Sequence, residues 1–164
     1  RYDIRKDVKV FRNGDFIFGC TSSFRMIQLL QYSFKPPIIR TKDIHKYMCT
    51  SFVKAIRKCF IKNGFLDKKK SYDSEDYQFL IGYKNRLFLI EKDFQVAENK
   101  RGYQAIGCGS DYAFGSLYSL SKTKMPSSKK VLEALRASSK FCNGVYPPFI
   151  VESTSKIKKK IRKK

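Results

Sequence analysis

The order in which strand-like and helix-like segments follow one another limits the fold of this chain more than any other feature. An Asn13-Gly14 pair between two apolar runs predicts a β-hairpin, and the remaining segments are read from their apolar spacing. The predicted order is strands 8–12 and 15–20, helices 22–34 and 43–62, strands 77–83, 86–91, 94–97 and 103–107, helices 111–121 and 128–141, and strand 149–152. Strands in hairpin-linked runs and helices in pairs do not fit a doubly wound sheet. They predict an α+β fold, a four-layer αββα sandwich in which helix pairs cover two antiparallel sheets.

The composition supports one folded domain. The chain has 164 residues, of which 42% are apolar and 15% aromatic, so it can bury a core and wholesale disorder is excluded. No run of about 18 apolar residues occurs, so we expect no membrane-spanning segment and no membrane partner. Residues 1–152 are predicted to form the domain, and residues 153–164 a basic tail that is disordered in isolation.

Positive charge is the outlying property of the composition. Lys and Arg number 35 against 14 Asp and Glu, which gives a net charge of +21, and +14 remains when the last nine residues are left out. A field of this size attracts nucleic acid or an acidic protein. A lysine-rich coding bias accounts for the same numbers, and both interpretations stay open. The candidate polyanion-binding residues are Lys68, Lys69, Lys70, Lys156, Lys158, Lys159, Lys160, Arg162, Lys163 and Lys164.

The cysteines and the single histidine exclude several kinds of site. The chain has five Cys without a CxxC pair, so the close ligand spacing of a zinc site is missing and no metal or cofactor is predicted. We expect reduced thiols, as in a cytosol-like compartment. His45, at the start of a predicted helix, is interpreted as a surface residue, which leaves no histidine for a Ser-His-Asp triad.

Several short motifs resemble the proteasome β subunits and the bacterial HslV peptidase, which share the N-terminal-nucleophile (Ntn) hydrolase fold. Residues 9–11 and 15–22 resemble the strand pair before that family's first helix, and residues 106–113 resemble its Ile-Gly-Ser-Gly-x-x-Tyr-Ala turn. Residues 142–145 resemble its Ser-Gly-Gly-x-Val turn. The closest resemblance is to phage-encoded proteasome-like proteins and covers about residues 5–152. It implies a location in the cytoplasm, or in the host cytoplasm or virion if the protein is phage-encoded.

The resemblance also implies roles for three residues. In that family a Thr, Ser or Cys at the mature N-terminus is the nucleophile, and a Lys one strand later lowers its pKa. Lys9 matches that Lys, Cys108 stands at the Ser of the Ile-Gly-Ser-Gly turn, and Cys142 stands at the Ser of the Ser-Gly-Gly turn. Cys108 itself is interpreted as structural rather than nucleophilic. The acidic residue expected three positions before Cys142 falls at Ser139.

Two functions follow as expectations. The first is a threonine-type peptidase or amide-hydrolase homologue, inactive as given because the family's nucleophile and opening strands lie upstream of Lys9. Activity is expected only if the complete protein carries the upstream nucleophile. The second is a non-catalytic structural or nucleic-acid-associated basic protein that retains the fold. The rings of the family imply a homo-oligomer, with the helix pair 22–34 and 43–62 as the contact surface.

Overall fold

A computed structural model describes residues 6–67 and 77–154, in which the strands form one antiparallel sheet. The five strands are neighbours in the sheet in the same order as in the sequence. They are β1 (Val10–Asn13), β2 (Phe16–Cys20), β3 (Phe79–Tyr83), β4 (Arg86–Ile90) and β5 (Val96–Glu98). No helix in these ranges is long and apolar enough to cross a bilayer.

Two tight turns set the register of the sheet, and the predicted hairpin between β1 and β2 is confirmed. Gly14 has a φ of 59°, and Asn13 pairs with Phe16 across the first turn. Lys84 and Asn85 have φ values of 44° and 62° and join β3 to β4, with Tyr83 opposite Arg86. Positive φ at both central residues of a two-residue loop matches the twist of the flanking strands. The predicted strand pairs therefore form in the predicted order, each shortened by one or two residues.

The first two predicted helices lie between β2 and β3. Helix α1 (Phe24–Gln28) continues as a π-helical turn, Leu29–Ser33. Helix α2 (Ile44–Tyr47), a π-helical turn (Met48–Phe52) and α3 (Val53–Lys62) follow one another without a break. Helices α1 and α2 each begin where a polar side chain caps the first turn. The Ser23 hydroxyl accepts from the amide of Met26 at 3.3 Å, and Asp43 accepts from that of Lys46 at 3.0 Å.

One face of the sheet and these helices form the hydrophobic core. Strand residues alternate between buried and half-buried, as expected when one face of a sheet is covered. At the centre, the Phe16 ring lies 4.9 Å from that of Phe52 and 4.7 Å from that of Tyr83. The helical segment from Ile44 to Lys62 contributes one apolar face to this core, on which Tyr47, Met48, Phe52, Ile56 and Phe60 are all buried.

The second predicted helix pair forms a separate hairpin. Helix α4 (Ser110–Ser121) and helix α5 (Ser127–Phe141) pack against each other through Leu117, Ala134 and Ser138, which are buried. The short connection at Met125-Pro126 makes the two helices antiparallel neighbours, because so few residues allow only a tight reversal. The start of α4 and the end of α5 therefore lie at the same end of the hairpin.

Two predicted strands do not form in the described part of the chain. Residues 103–107 and 149–152 have no strand structure, and residues 6–67 and 77–154 contain one sheet rather than two. Their apolar spacing is that of strands, but a strand exists only where a neighbouring strand takes up its hydrogen bonds. No described segment pairs with either of them.

The second face of the sheet carries half-buried apolar side chains and two glycines. These residues are Val10, Ile17, Gly19, Leu80, Gly82, Leu87 and Leu89. Residues 152–154 cross part of this face. The Arg12 guanidinium donates to the carbonyl of Ser153 at 2.5 Å, and a Cβ on Gly82 would lie 3.5 Å from the Thr154 methyl group. A Cβ at position 82 would therefore make only an ordinary van der Waals contact with the crossing chain.

Candidate functional site

The helix hairpin brings Cys108 and Cys142 together. Cys108 lies in the turn that enters α4, and Cys142 follows the last residue of α5. Gly144 lies against both, since a Cβ there would be 2.5 Å from the Cys108 Sγ and 3.9 Å from the Cys142 Sγ. Only a glycine lets the chain approach the Cys108 sulfur this closely. Cys108 is exposed, and Cys142 is partly buried.

A buried hydroxyl fixes these two turns to each other. The Ser138 Oγ lies 2.8 Å from the carbonyl oxygen of Gly109 and 3.0 Å from that of Ala134, and it donates to both. Gly109 must be small here, because a Cβ would lie 2.8 Å from the Val145 Cγ2 and 3.0 Å from the Ser138 Cβ. The close contact between Gly109 and α5 therefore sets the position of Cys108 beside Cys142.

The same turn lies against one end of the sheet. The amide of Cys20 donates to the carbonyl of Lys9 at 2.8 Å, so Lys9 and Thr21 stand at the end where β1 begins and β2 stops. Gly107 has a φ of 91°, and a Cβ there would be 3.1 Å from the Thr21 Oγ1. A positive φ and a close neighbour both favour glycine at this position.

Lys9 acts on the Cys108 thiol by its charge. The Lys9 ammonium lies 5.5 Å from the centre of the Phe24 ring. The pKa of Cys108 is raised, first by the hydrogen bond with the Cys142 thiol and then by burial, while the charge of Lys9 opposes the rise. Residues from three separate motifs thus meet in one place, which we call the Lys9–Cys108–Cys142 cluster.

The remaining predicted positions contribute little that can be described. Lys68, Lys69, Lys70 and the basic residues from Lys156 to Lys164 lie outside the described residues. Position 139, where the family pattern has an acidic residue, is a serine and supplies no carboxylate. The Ser139 hydroxyl donates to the carbonyl of Arg136 at 2.9 Å. Here the chain departs from the family pattern that it resembles.

Two residues near the cluster were not predicted. Ser138 shares one face of α5 with Ala134, and this pair of small residues four apart is the sequence signal for a close helix contact. Thr21 follows β2 directly and lies against Gly107. Neither position stands out in the sequence, because Ser and Thr are common at helix and strand ends for local reasons.

His45 lies elsewhere and is exposed, as interpreted from the sequence. Its Nε2 lies 3.5 Å from the Cys49 sulfur, and its Nδ1 lies 3.7 Å from a Glu98 oxygen that Arg86 also binds. No group of three or more His, Cys, Asp or Glu in residues 6–67 and 77–154 is disposed to hold a metal ion.

Comparison with solved structures identifies the fold. BPH from Thiobacillus denitrificans, in complex with epoxomicin, is similar with a TM-score of 0.70 and 20% identity, over 87% of this chain and 76% of that one. Eukaryotic HslV from Trypanosoma brucei is similar with a TM-score of 0.52 and 16% identity, over 80% and 72%. Anbu (ancestral beta-subunit) from Yersinia bercovieri is similar with a TM-score of 0.56 and 13% identity, over 85% and 64%.

At these identities the similarity concerns the fold. No protein-family model and no curated protein sequence matches this chain. The element order, the antiparallel sheet and the paired helices are those of a proteasome-like, HslV-like Ntn-hydrolase fold. The fold that the sequence motifs implied is confirmed to this extent.

Proposed function

We propose that this chain is the scaffold of a proteasome-like peptidase or amide hydrolase of the N-terminal-nucleophile type. The observation that carries the proposal is the meeting of Lys9, Cys108 and Cys142 at one end of the sheet, although they are far apart in sequence. No residue of the sequence given is assigned as the nucleophile. In this proposal the nucleophile is a Thr, Ser or Cys that lies upstream of Lys9 in the complete protein.

Each member of the Lys9–Cys108–Cys142 cluster has a distinct role in the proposed reaction. The Lys9 ammonium lowers the pKa of a neighbouring nucleophile by its charge, as it opposes the rise in the pKa of Cys108. The free amine of the nucleophilic residue then accepts the proton. Cys108 and Cys142 remain neutral thiols and help to orient that amine as hydrogen-bond partners, weaker ones than the Ser of the family pattern.

The test begins with N-terminal sequencing of the native protein. A processed Thr, Ser or Cys upstream of Lys9 supports the proposal, and a protein with that terminus should hydrolyse a fluorogenic peptide amide. The 164-residue chain that begins at Arg1 should not hydrolyse this peptide amide. Lys9→Ala should lower kcat by about 10²-fold, the scale on which a single electrostatic group contributes. Lys6→Ala is the matched control, since Lys6 is also exposed and precedes the same strand.

Two results would contradict this assignment. One is hydrolysis by the chain as given at the rate of the processed protein. The other is a Lys9→Ala variant as active as Lys6→Ala. Inactivity of a protein with a confirmed Thr, Ser or Cys terminus would favour a retained fold without catalysis.

We further propose that the complete domain is a four-layer sandwich. The half-buried apolar residues of the second face, Leu80, Leu87 and Leu89 among them, are suited to a second sheet. Segments 103–107 and 149–152 then become strands of that sheet once partner strands are supplied. Amide hydrogen exchange tests this, because 103–107 should become protected in a longer native form. Equal exchange in both forms would exclude it.

A second candidate function is binding of a polyanion. A groove of about 420 Å³ beside α3 is lined by Lys35, Lys58 and Lys62, and a smaller one by Arg40 and Lys46. Several cations around one groove suit phosphate groups. Experiments distinguish the two functions, because a polyanion-binding protein should show salt-dependent binding without peptide hydrolysis. Homo-oligomer formation and a cytoplasmic or virion location are part of the first proposal.

A further inference from the structure

The two sulfur atoms at the start of α4 and the end of α5 border one small volume. The Gly144 position that lies 2.5 Å from the Cys108 Sγ lies 3.9 Å from the Cys142 Sγ. A small movement of either sulfur would therefore bring the two sulfur atoms to bonding distance. The hydrogen bond with Cys142 that raises the pKa of Cys108 agrees with this contact.

The backbone keeps the two cysteines in this position. The amide of Cys142 donates to the carbonyl of Ser138 at 2.8 Å, and the Ser138 hydroxyl donates to the carbonyl of Gly109, the residue after Cys108. Because Ser138 is buried and binds both turns, the separation of the cysteines does not depend on exposed loops. A pair fixed in this way loses little conformational freedom when its sulfurs are joined.

The other three cysteines are placed differently. Cys20 is buried in the core, which raises its pKa to about 12. Cys49 and Cys59 lie on the helix that runs from Ile44 to Lys62, Cys49 beside His45 and Cys59 beside Asn63. Cys108 and Cys142, by contrast, both border the position of Gly144.

We propose that Cys108 and Cys142 form a redox-active dithiol that a small-molecule disulfide, such as oxidised glutathione, converts into an intramolecular disulfide. The exposed Cys108 thiolate attacks one glutathione sulfur, and the first glutathione leaves as a thiolate. The Cys142 thiolate then attacks the Cys108 sulfur and releases the second glutathione. Two cysteine thiols are oxidised, their two protons pass to the two glutathione thiolates, and one glutathione disulfide is reduced.

The product links the N-terminal turn of α4 to the C-terminal end of α5. It takes both sulfurs out of the Lys9–Cys108–Cys142 cluster as hydrogen-bonding thiols, and a thiol reductant restores them. The inference depends on the geometry of the two thiols and stands whether or not the protein is a peptidase.

The first test is alkylation of the whole chain after incubation with oxidised glutathione. We expect two fewer alkylated cysteines per chain, with Cys108 and Cys142 recovered as one disulfide-linked peptide pair, and full alkylation after reduction. Cys108→Ser and Cys142→Ser should each abolish the linked pair and leave glutathione bound to the remaining cysteine. Cys49→Ser is the matched control, since it removes an exposed thiol elsewhere and should leave the linked pair unchanged.

The second test needs no variant. Phenylarsine oxide bridges two thiols that lie close together, so one arsenical per chain should protect both Cys108 and Cys142 from alkylation. The proposal is overturned if Cys108 and Cys142 take up glutathione separately without linking. Oxidation that proceeds through Cys49 to crosslinked chains, or an arsenical that protects neither cysteine, would overturn it equally.

Discussion

Gly109 is the point of closest approach between the turn that enters α4 and helix α5. A Cβ at this position would meet Val145 at 2.8 Å and Ser138 at 3.0 Å, and neither atom lies at the free end of a long side chain. Gly115, six residues further along and within α4, has no neighbour within 4 Å of the same hypothetical atom and is exposed. Close packing therefore requires a glycine at position 109, just before α4, but not at position 115.

We predict that Gly109→Ala destabilises the protein and Gly115→Ala stabilises it. Overpacking at Gly109 should cost about 1–3 kcal/mol in the free energy of unfolding. Gly115→Ala should add about 0.5–1 kcal/mol, because alanine loses less backbone entropy in a helix. Denaturant titrations of both variants give the two values. Equal effects of the same sign would show that the contact of Gly109 with α5 is not tight.

Glu98 and Arg86 form the best-defined ion pair of the sheet. The Arg86 Nε and Nη2 donate to the two carboxylate oxygens at 2.7 Å and 2.6 Å. These hydrogen bonds, more than any other cause, hold the pKa of Glu98 below its usual value. Because the pKa is lower in the folded state, the pair stabilises the fold above the unfolded pKa, and this stabilisation is lost as the pH falls.

We predict that Glu98→Gln lowers the free energy of unfolding by less than about 1 kcal/mol at pH 7, since both side chains are partly exposed to water. The difference from the wild type should begin to shrink as the pH falls to about 4, where the unfolded carboxyl takes up its proton, and should disappear below the lower pKa of the folded carboxyl. Denaturant titrations at several pH values measure this difference in the free energy of unfolding. A difference that persists unchanged to lower pH would mean that the lost contact is not electrostatic.

At the level of elements, the α4–α5 hairpin depends on one buried hydroxyl. Ser138 is 2% exposed and binds the Gly109 carbonyl, whereas Ser139, the next residue, binds only within its own helix. A carbonyl left buried without its donor costs more than the hydrogen bond itself contributes. The hairpin should therefore be sensitive to one of these serines and tolerant at the other.

We predict that Ser138→Ala costs about 1–3 kcal/mol of stability, whereas Ser139→Ala stays within about 0.5 kcal/mol. Ser138→Ala should also shift Cys108 relative to Cys142 and therefore slow the formation of their disulfide. Thermal unfolding and alkylation kinetics provide the two measurements. If both variants behave alike, Ser138 does not hold the two turns together.

At the scale of the whole molecule, positive charge and exposed apolar residues suggest association with partners. Tyr32, in the π-helical turn Leu29–Ser33, and Ile38, in the connection from that turn to α2, are 76% and 79% accessible. Large apolar side chains at such exposure often mark contact surfaces. The net charge of +21 is distributed over the domain and the C-terminal residues.

We predict that the protein self-associates at micromolar concentration in moderate salt, through the helical layer at 22–34 and 43–62. Tyr32→Glu and Ile38→Glu should shift it to monomer, because each places a charge in the contact. Tyr118, on α4, is 54% exposed, and Tyr118→Glu is the matched control, which should leave the association unchanged. Sedimentation velocity distinguishes these states, and a wild-type protein that is monomeric throughout excludes the contact.

We predict that deletion of residues 156–164 flattens the salt dependence of DNA binding. If all seven basic side chains contact phosphates, the slope of log K against log salt falls by about six units. A triple variant, Lys35→Ala, Lys58→Ala and Lys62→Ala, should reduce the slope by up to about three units if the groove takes part. Fluorescence anisotropy across a salt series measures both. Identical slopes in the deleted and full chains would mean that these residues are only solvated charge.

The sequence by itself determined most of the local structure. Gly14 and Lys84-Asn85 form turns because their backbones accept positive φ, and Ser23 and Asp43 begin helices because their side chains cap free amides. The buried side of helix 43–62 follows from its apolar spacing. These features depend on interactions between residues close in the chain, so a local pattern is sufficient to predict them.

Tertiary structure alone decided the rest. Segment 103–107 has the pattern of a strand but no neighbour to pair with, and a pattern does not specify whether a partner is present. The resemblance implied separate roles for Lys9, Cys108 and Cys142, but the contact between the two cysteines depends on Ser138, Gly109 and Gly144, which come from two turns far apart in sequence. A close approach of two backbones is a property of packing, and no single stretch of sequence encodes it.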